Sequence, residues 1–401
     1  MSATGMSIPK PRRYTRSPWL LVALLLVGFL LSCGDDRGAE SESGLTQIPL
    51  WTAGQDGYHT YRIPALLTTK EGSLLAFCEG RKDNRNDHGN IDLLVKRSTD
   101  GGQTWSPHQI VYEEGGDSEL TIGNPAPVVD QDTGTIWMPF CRNNREVLIT
   151  KSEDEGLSWS EPVNITAGVT HGHWVWVATG PGVSIQLQRG PHKGRLVVPS
   201  DHGIVVGERR IQHSHVFYSD DHGQTWQLGG LLPEHTDESQ VVELSDGRLL
   251  LNMRSYWGRV AKQAERAGKR ALAWSEDGGA TWSDLAFDET LIEPVCQASF
   301  LRHTLAEQPG KNRLLYSGPA STTDRVNMTI RLSYDEGQSW PVAKSLHAGP
   351  SAYSSLAVLP GGVMACLYER GDDSAYETLT LARFALDWLT DGQDSLPAAA
   401  Q

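Results

Sequence analysis

The chain has 401 residues, among them 41 Gly, 21 Pro and 13 Trp, and a formal net charge of −14. Many turn-forming residues and no sustained 3.6-residue periodicity point to one large all-β domain and exclude a helical bundle. The acidic balance excludes general nucleic-acid binding, and any anionic ligand must be met by a local cluster of Arg or Lys.

Residues 1–32 carry Lys10, Arg12, Arg13 and Arg16, then the apolar run from Trp19 to Leu31. The run is short for a membrane span of about 20 residues and has the form of a signal peptide. Without residues 1–32 the chain keeps 31 basic and 49 acidic residues, a net charge of −18. Leu30-Leu31-Ser32-Cys33 resembles the lipobox of bacterial lipoproteins. That implies cleavage before Cys33, lipid on its thiol, and an exported, lipid-anchored envelope protein facing the periplasm or the cell surface. Residues 33–47 are polar and small and are expected to form a flexible tether. The ordered domain is expected over 48–390 and a disordered tail over 391–401. Cys78, Cys141, Cys296 and Cys366 have no metal-ligand spacing. Their even number in an exported chain permits two disulfides, but Cys78 and Cys366 sit in apolar runs that suit buried free thiols.

The domain opens on Tyr61-Arg62-Ile63-Pro64, a strand start that places a cation among apolar residues. Leu74 to Arg81 reads as a strand ending in charge, followed by the polar loop Lys82 to Asn90. Loops at strand ends are where a rigid β scaffold presents its chemistry. The stretch from His171 to Asp201 holds two His, Trp174, Trp176 and a Gly-Pro-Gly turn, and reads as a site wall. Asp237 to Ser255 contains Glu238 and Arg254. A basic surface loop follows, and Arg325, Tyr353 and Glu369 come in the last quarter.

One pattern, S-x-D-x-G-x-x-W, starts at Ser98, Ser152, Ser219, Ser275 and Ser333, in steps of 54, 67, 56 and 58 residues. Such a period marks a supersecondary unit repeated about an axis. Asp and Gly make the turn, the Ser hydroxyl supports it, and the Trp anchors the loop. Strand-like runs precede every copy, so each is expected to join two antiparallel strands as scaffold.

These repeats, with Tyr-Arg-Ile-Pro before the first, resemble the exo-sialidases (neuraminidases) of the bacterial and animal glycoside hydrolase type, over residues 48 to 390. The resemblance implies a six-bladed β-propeller of about 57 residues per blade. It implies that Arg62, Arg254 and Arg325 bind a substrate carboxylate and that Glu369 steadies Arg62. It also implies Tyr353 as nucleophile, Glu238 as its base, Asp87 as general acid/base, and Arg81 near the glycone. Asp83 and Asp92 are weaker alternatives to Asp87.

The residue types fit that chemistry. A guanidinium makes charge-assisted, often bidentate bonds to a carboxylate and stays charged at any working pH. An ordinary phenol, with a pKa near 10, needs an adjacent base to attack. A neutral phenol avoids the repulsion that an Asp or Glu nucleophile would meet at an anomeric carbon bearing a carboxylate. The resemblance therefore implies retaining hydrolysis of terminal α-linked sialic acids from glycoproteins, glycolipids and oligosaccharides, with no metal or organic cofactor, by a monomer. Its rivals are a non-catalytic sialic-acid-binding propeller and a hydrolase or transferase for a related nonulosonic acid. Trp174, Trp176 and Trp257 are candidates for acceptor contacts.

Overall fold

Each of the five repeats closes a turn between two antiparallel strands. In the first, the Ser98 hydroxyl donates to Asp100 Oδ1 and accepts from the Gly102 amide, both at 2.8 Å. Asp100 in turn accepts from the amide (2.9 Å) and hydroxyl (2.6 Å) of Thr104. The same set recurs at Ser152, Ser219, Ser275 and Ser333. Burial opposes ionisation of Asp100, but these donors outweigh it and hold the carboxyl at about 2. The glycine is required, because φ is +83° at Gly223 and a Cβ there would meet Trp137 at 2.2 Å.

The computed structural model describes residues 44–260, 263–306 and 310–396, all within the compact unit Glu40–Gln401. The expected signal segment, Cys33 and most of the tether lie outside the described residues. The first strand is Leu45–Thr52, three residues before the expected start of the domain.

The strands pair in chain order. The first blade holds Thr60–Thr68, Leu74–Arg81, Ile91–Ser98 and Gln109–Tyr112. The second is built on Ile136–Arg142 and Glu146–Ser152, the third on the long hairpin Leu196–Val206 and Arg209–Ser219. The fourth holds Thr236–Glu243, Leu249–Ser255, Lys269–Ser275 and Ala286–Ile292. The remaining strands form one seven-stranded sheet, closed by antiparallel pairing of Leu45–Thr52 with Thr378–Phe384.

The all-β propeller is present, but the expected six four-stranded blades are not. Four separate blades of four or five strands are followed by the seven-stranded sheet. The cause is Val342–Val358, a strand of 17 residues. Its first half pairs with Val326–Ser333 and its second with Met364–Arg370, so no gap divides that sheet.

Hydrophobic clusters lie between successive sheets. Leu75, Phe77 and Val95 meet Ile136 and Met138; Val147 and Ile149 meet Val198 and Phe217; Val216 meets Leu249 and Leu251. Strands caught between two such clusters are buried on both faces and read as nearly continuous apolar runs, as in Leu74–Arg81. Each fully buried Leu or Val contributes about 1.5–3 kcal/mol. All four described cysteines are free and buried, packed as small apolar groups within this core.

Residues 391–396 of the expected disordered tail are folded against the domain, and 397–401 lie outside the described residues. Asp394 is buried and accepts from Arg313 Nε (2.8 Å) and Nη2 (2.7 Å) and from Lys311 Nζ (3.1 Å). Burial opposes its ionisation, but the bonds from Arg313, Tyr334 and Lys311 hold it well below the ordinary carboxylate range. Because the folded pKa is depressed, this stabilisation is present above about pH 4 and is lost as pH falls further. Asp394→Ala is expected to lower stability by about 3 kcal/mol at neutral pH, the scale of a broken buried pair. Urea melts should show the deficit shrinking as pH falls towards 3; a deficit independent of pH would exclude the ion pair as its source.

Candidate active site

Strands from four of the five sheets send polar side chains into one cavity of about 180 Å³. Arg62, Arg81, Asp87, Glu238, Arg254, Arg325 and Tyr353 all line it, although they lie far apart in sequence. None of the five repeat turns reaches it.

Arg62 enters from the first strand of the first blade. Its Nε donates to Glu369 Oε1 at 2.9 Å and its Nη2 to Oε2 at 3.2 Å. Glu369 is fully buried and also accepts from the amides of Ile63 (Oε1) and Tyr353 (Oε2), both at 3.1 Å. One carboxylate therefore ties the first arginine to the backbone of Tyr353. Ile63 has φ +61°, a strained conformation for a β-branched residue. That kink breaks the ladder register between Arg62 and Ala65, and with Pro64 it explains the odd start of this strand.

Asp87 lies on the loop after Leu74–Arg81, with its side chain 69% exposed. Its Oδ1 accepts from Arg81 Nη1 at 2.8 Å and Arg62 Nη1 at 3.3 Å. Partial loss of solvent at the cavity mouth works against ionisation, but Arg81 and Arg62 hold the carboxyl below its ordinary value. Asp92 is buried elsewhere, bonded to Tyr58 and Lys82, and neither it nor Asp83 lines the cavity.

The Tyr353 hydroxyl donates to Glu238 Oε1 at 2.5 Å. Arg254 Nη1 donates to Glu238 Oε2 at 2.6 Å and to the Tyr353 oxygen at 3.0 Å. Burial, then the Glu238 charge, pushes the phenol well above its ordinary value, against the pull of Arg254, Arg325 and Arg62. Burial also raises Glu238, only partly offset by Arg254. A carboxylate so raised is a stronger base than one in water.

Arg325 donates from Nη1 to the Tyr376 hydroxyl at 2.9 Å and from Nη2 to the Val295 carbonyl at 3.4 Å. Its guanidinium carbon lies 5.3 Å from the centre of the Tyr353 ring, and that of Arg62 lies 4.9 Å from it. No described carboxylate pairs with Arg325. The cavity thus keeps Arg325 without a carboxylate partner beside the paired Arg62, Arg81 and Arg254, while Arg210 stacks on Trp176, an arrangement that favours an incoming anion.

The sequence reading missed several lining residues. Glu79 receives Arg81 Nε and Nη2 at 3.0 and 2.7 Å; Tyr256 receives Arg254 Nη2 at 2.7 Å. Asp201, Gln212 and Asp237 border the cavity as well. Glu79 was findable, because a buried Arg two residues along a strand shares its face and needs a partner. Of the three tryptophans, Trp176 lines the cavity, whereas Trp174 stacks on His202 with ring centres 3.7 Å apart and Trp257 packs against Arg266.

A family model described as a BNR repeat-like domain matches residues 72–366. The chain is 37% identical over 369 residues to a sialidase of Micromonospora viridifaciens, covering 86% of this chain but 54% of that protein. It thus spans about half the length of that relative. It is 30% identical over 403 residues to human Sialidase-3, covering 84% of this chain and 91% of that protein. The solved structure titled Hadza microbial sialidase Hz136 superposes with a TM-score of 0.75 at 32% identity, covering 86% of this chain and 69% of that one. With these likenesses over most of its length, the chain belongs to the sialidase family.

Proposed function

We propose that this chain is an exo-α-sialidase that removes terminal α-linked sialic acids from glycoconjugates with retention of configuration. The observation that carries the reading is the Tyr353–Glu238 hydrogen bond of 2.5 Å set among three guanidinium groups. A site that only bound an acidic sugar would need the arginines but no nucleophile paired with a base.

Arg62, Arg254 and Arg325 bind the sugar carboxylate. Glu238 takes the phenol proton of Tyr353 as the phenol oxygen attacks the anomeric carbon. The bond to the leaving oxygen breaks, and Asp87 gives that oxygen a proton. Water then attacks the glycosyl-tyrosine from the opposite side and loses a proton to Asp87. The tyrosine leaves and recovers its proton from Glu238, so two inversions give net retention.

The test is release of fluorophore from a 4-methylumbelliferyl sialoside, with the anomer of the released sugar followed by NMR. Turnover with the α-anomer appearing first supports the reading. Binding of sialic acid without turnover would replace it with a lectin function.

In the free protein Asp87 is paired with Arg81 and Arg62 and is held ionised. A bound carboxylate draws Arg62 away and adds a nearby negative charge, and both effects raise the Asp87 pKa. The fall in rate at high pH should therefore lie higher for kcat than for kcat/KM. Asp87→Ala should lose about 10²–10⁴-fold in kcat/KM, which reports the leaving-group step, on sialosides with a sugar leaving group. It should lose far less on the aryl sialoside, whose leaving group needs no proton. Equal losses on both substrates would remove Asp87 from the acid role.

Export and lipid attachment at Cys33 rest on the sequence alone; palmitate labelling lost in Cys33→Ala is the check.

A further inference from the structure

Asp201 lies in Leu196–Val206, paired across the ladder with Ala178 on one side and Ser214 on the other. It is 1% exposed and borders the cavity beside Asp237, Glu238 and Arg254. Its Oδ1 accepts from Trp176 Nε1 at 3.0 Å and from Gln212 Nε2 at 3.5 Å. Its Oδ2 meets no N–H or O–H donor. What stands within hydrogen-bonding reach of this side chain is another carboxyl, that of Asp237. Ser214 Oγ holds the Asp237 carbonyl at 2.5 Å, which fixes that backbone beside Asp201.

A buried ionised oxygen without a donor is costly, and two ionised carboxyls in contact repel. A single proton between them removes both penalties. The local charge balance agrees. Arg254 is the guanidinium that meets this group: its Nη1 pairs with Glu238 at 2.6 Å and its Nε stands 3.7 Å from Asp237. Arg210, the other cation here, stacks on Trp176 and pairs with no described carboxylate, so Arg254 alone faces three carboxyls and cannot neutralise all of them if each is ionised.

We infer that Asp201 and Asp237 share one proton, forming a dyad that positions Arg254 and keeps the charge beside Glu238 constant. Asp201 is thus a positioning residue. Its catalytic consequence rests on the sialidase reading; the dyad itself does not. Around it stand Asp237, Glu238, Arg254 and Tyr256 from the fourth blade, Arg210, His213 and His215 from the neighbouring strand, His202 on its own strand and Cys141 from the second blade. His202 and His215 are held neutral, burial taking them down to about 2 and about 3, so neither supplies a compensating cation. Burial, then Asp237 and Glu238, pushes Asp201 well above the ordinary carboxylate range. With its proton on the dyad, Asp237 stays aimed at Arg254, which bridges Glu238 and the Tyr353 oxygen.

The test is infrared spectroscopy of the full chain at pH 7, with and without ¹³C-labelled aspartate. The expected result is a protonated-carboxyl C=O band that shifts on aspartate labelling and disappears in Asp201→Asn. Absence of a label-sensitive band in the wild type would by itself overturn the shared proton, so the test stands even if the variant fails to fold. No label-sensitive band, or a band that persists in a folded Asp201→Asn, overturns the dyad. Asn keeps a neutral donor towards Asp237 and Ala does not, so kcat/KM should fall at least about tenfold further in Asp201→Ala. Equal losses would overturn the positioning role. The infrared readout needs no substrate, so its failure is separate from failure of the sialidase reading.

Discussion

Tyr353→Phe is expected to lower kcat by at least about 10³-fold while the protein stays folded and still binds sialic acid. The substitution removes a single oxygen, but that oxygen is the proposed attacking atom. It donates to Glu238 at 2.5 Å and accepts from Arg254 at 3.0 Å. The ring remains, so the packing of Arg62 and Arg325 against its face, at 4.9 and 5.3 Å from the ring centre, is retained. These cation–π contacts contribute about 0.5–2 kcal/mol each and keep two of the three carboxylate-binding groups in place. Removing a nucleophile whose partners act with it as a unit costs several orders of magnitude in kcat. Binding of free sialic acid, measured by calorimetry, should change little. Intact turnover in Tyr353→Phe would keep the enzyme class and overturn the nucleophile. Loss of binding together with turnover would point to a collapsed arginine cluster instead.

The site was more legible in the sequence than the sheet count. The five turns were visible because their chemistry is local: a Ser, an Asp and a Gly within five residues determine the hydrogen bonds. Arg62, Arg254, Arg325, Tyr353, Glu238, Asp87 and Glu369 were found through family motifs, and the structure brings them together around one cavity. The number of blades was not legible, because repeats count turns and say nothing of where one sheet ends. Val342–Val358 carries Gly349 and Pro350 near its middle, which reads as a break, yet Pro350 still pairs with Val326 and the strand runs on. Asp201 and Asp237 were illegible for another reason. Asp201 is the lone acid of its strand and Asp237 sits next to Glu238, and the partner of each comes from elsewhere in the chain. Only the register of Asp201 against Ser214, and the bond from Ser214 to Asp237, bring them together.

Glu369→Ala is expected to cost about 3–5 kcal/mol of stability and, in the fraction that folds, to lower kcat as well as raise KM. Glu369 is fully buried and its two oxygens accept four donors. Without it, Arg62 becomes a buried cation whose remaining anionic partner is the exposed Asp87 at 3.3 Å. Loss of one member of a buried ion pair is what makes the stability cost large. The same change frees Arg62 from its fixed pose, which weakens carboxylate binding and raises KM. It also releases the amide of Tyr353 and that of Ile63, whose φ of +61° is held in part by this bond. A nucleophile displaced by even 1 Å loses much of its advantage of position, which lowers kcat. Glu369→Gln separates the two effects. It keeps the side-chain volume and one acceptor oxygen, but turns an NH₂ group towards a donor and removes the charge opposite Arg62. If the carboxylate acts as argued, Gln should recover part of the lost stability while KM stays high, as read from urea melts and steady-state kinetics at pH 6. If Glu369→Gln matches the wild type in both, the charge on Glu369 does nothing for Arg62, and the anion site depends on shape alone.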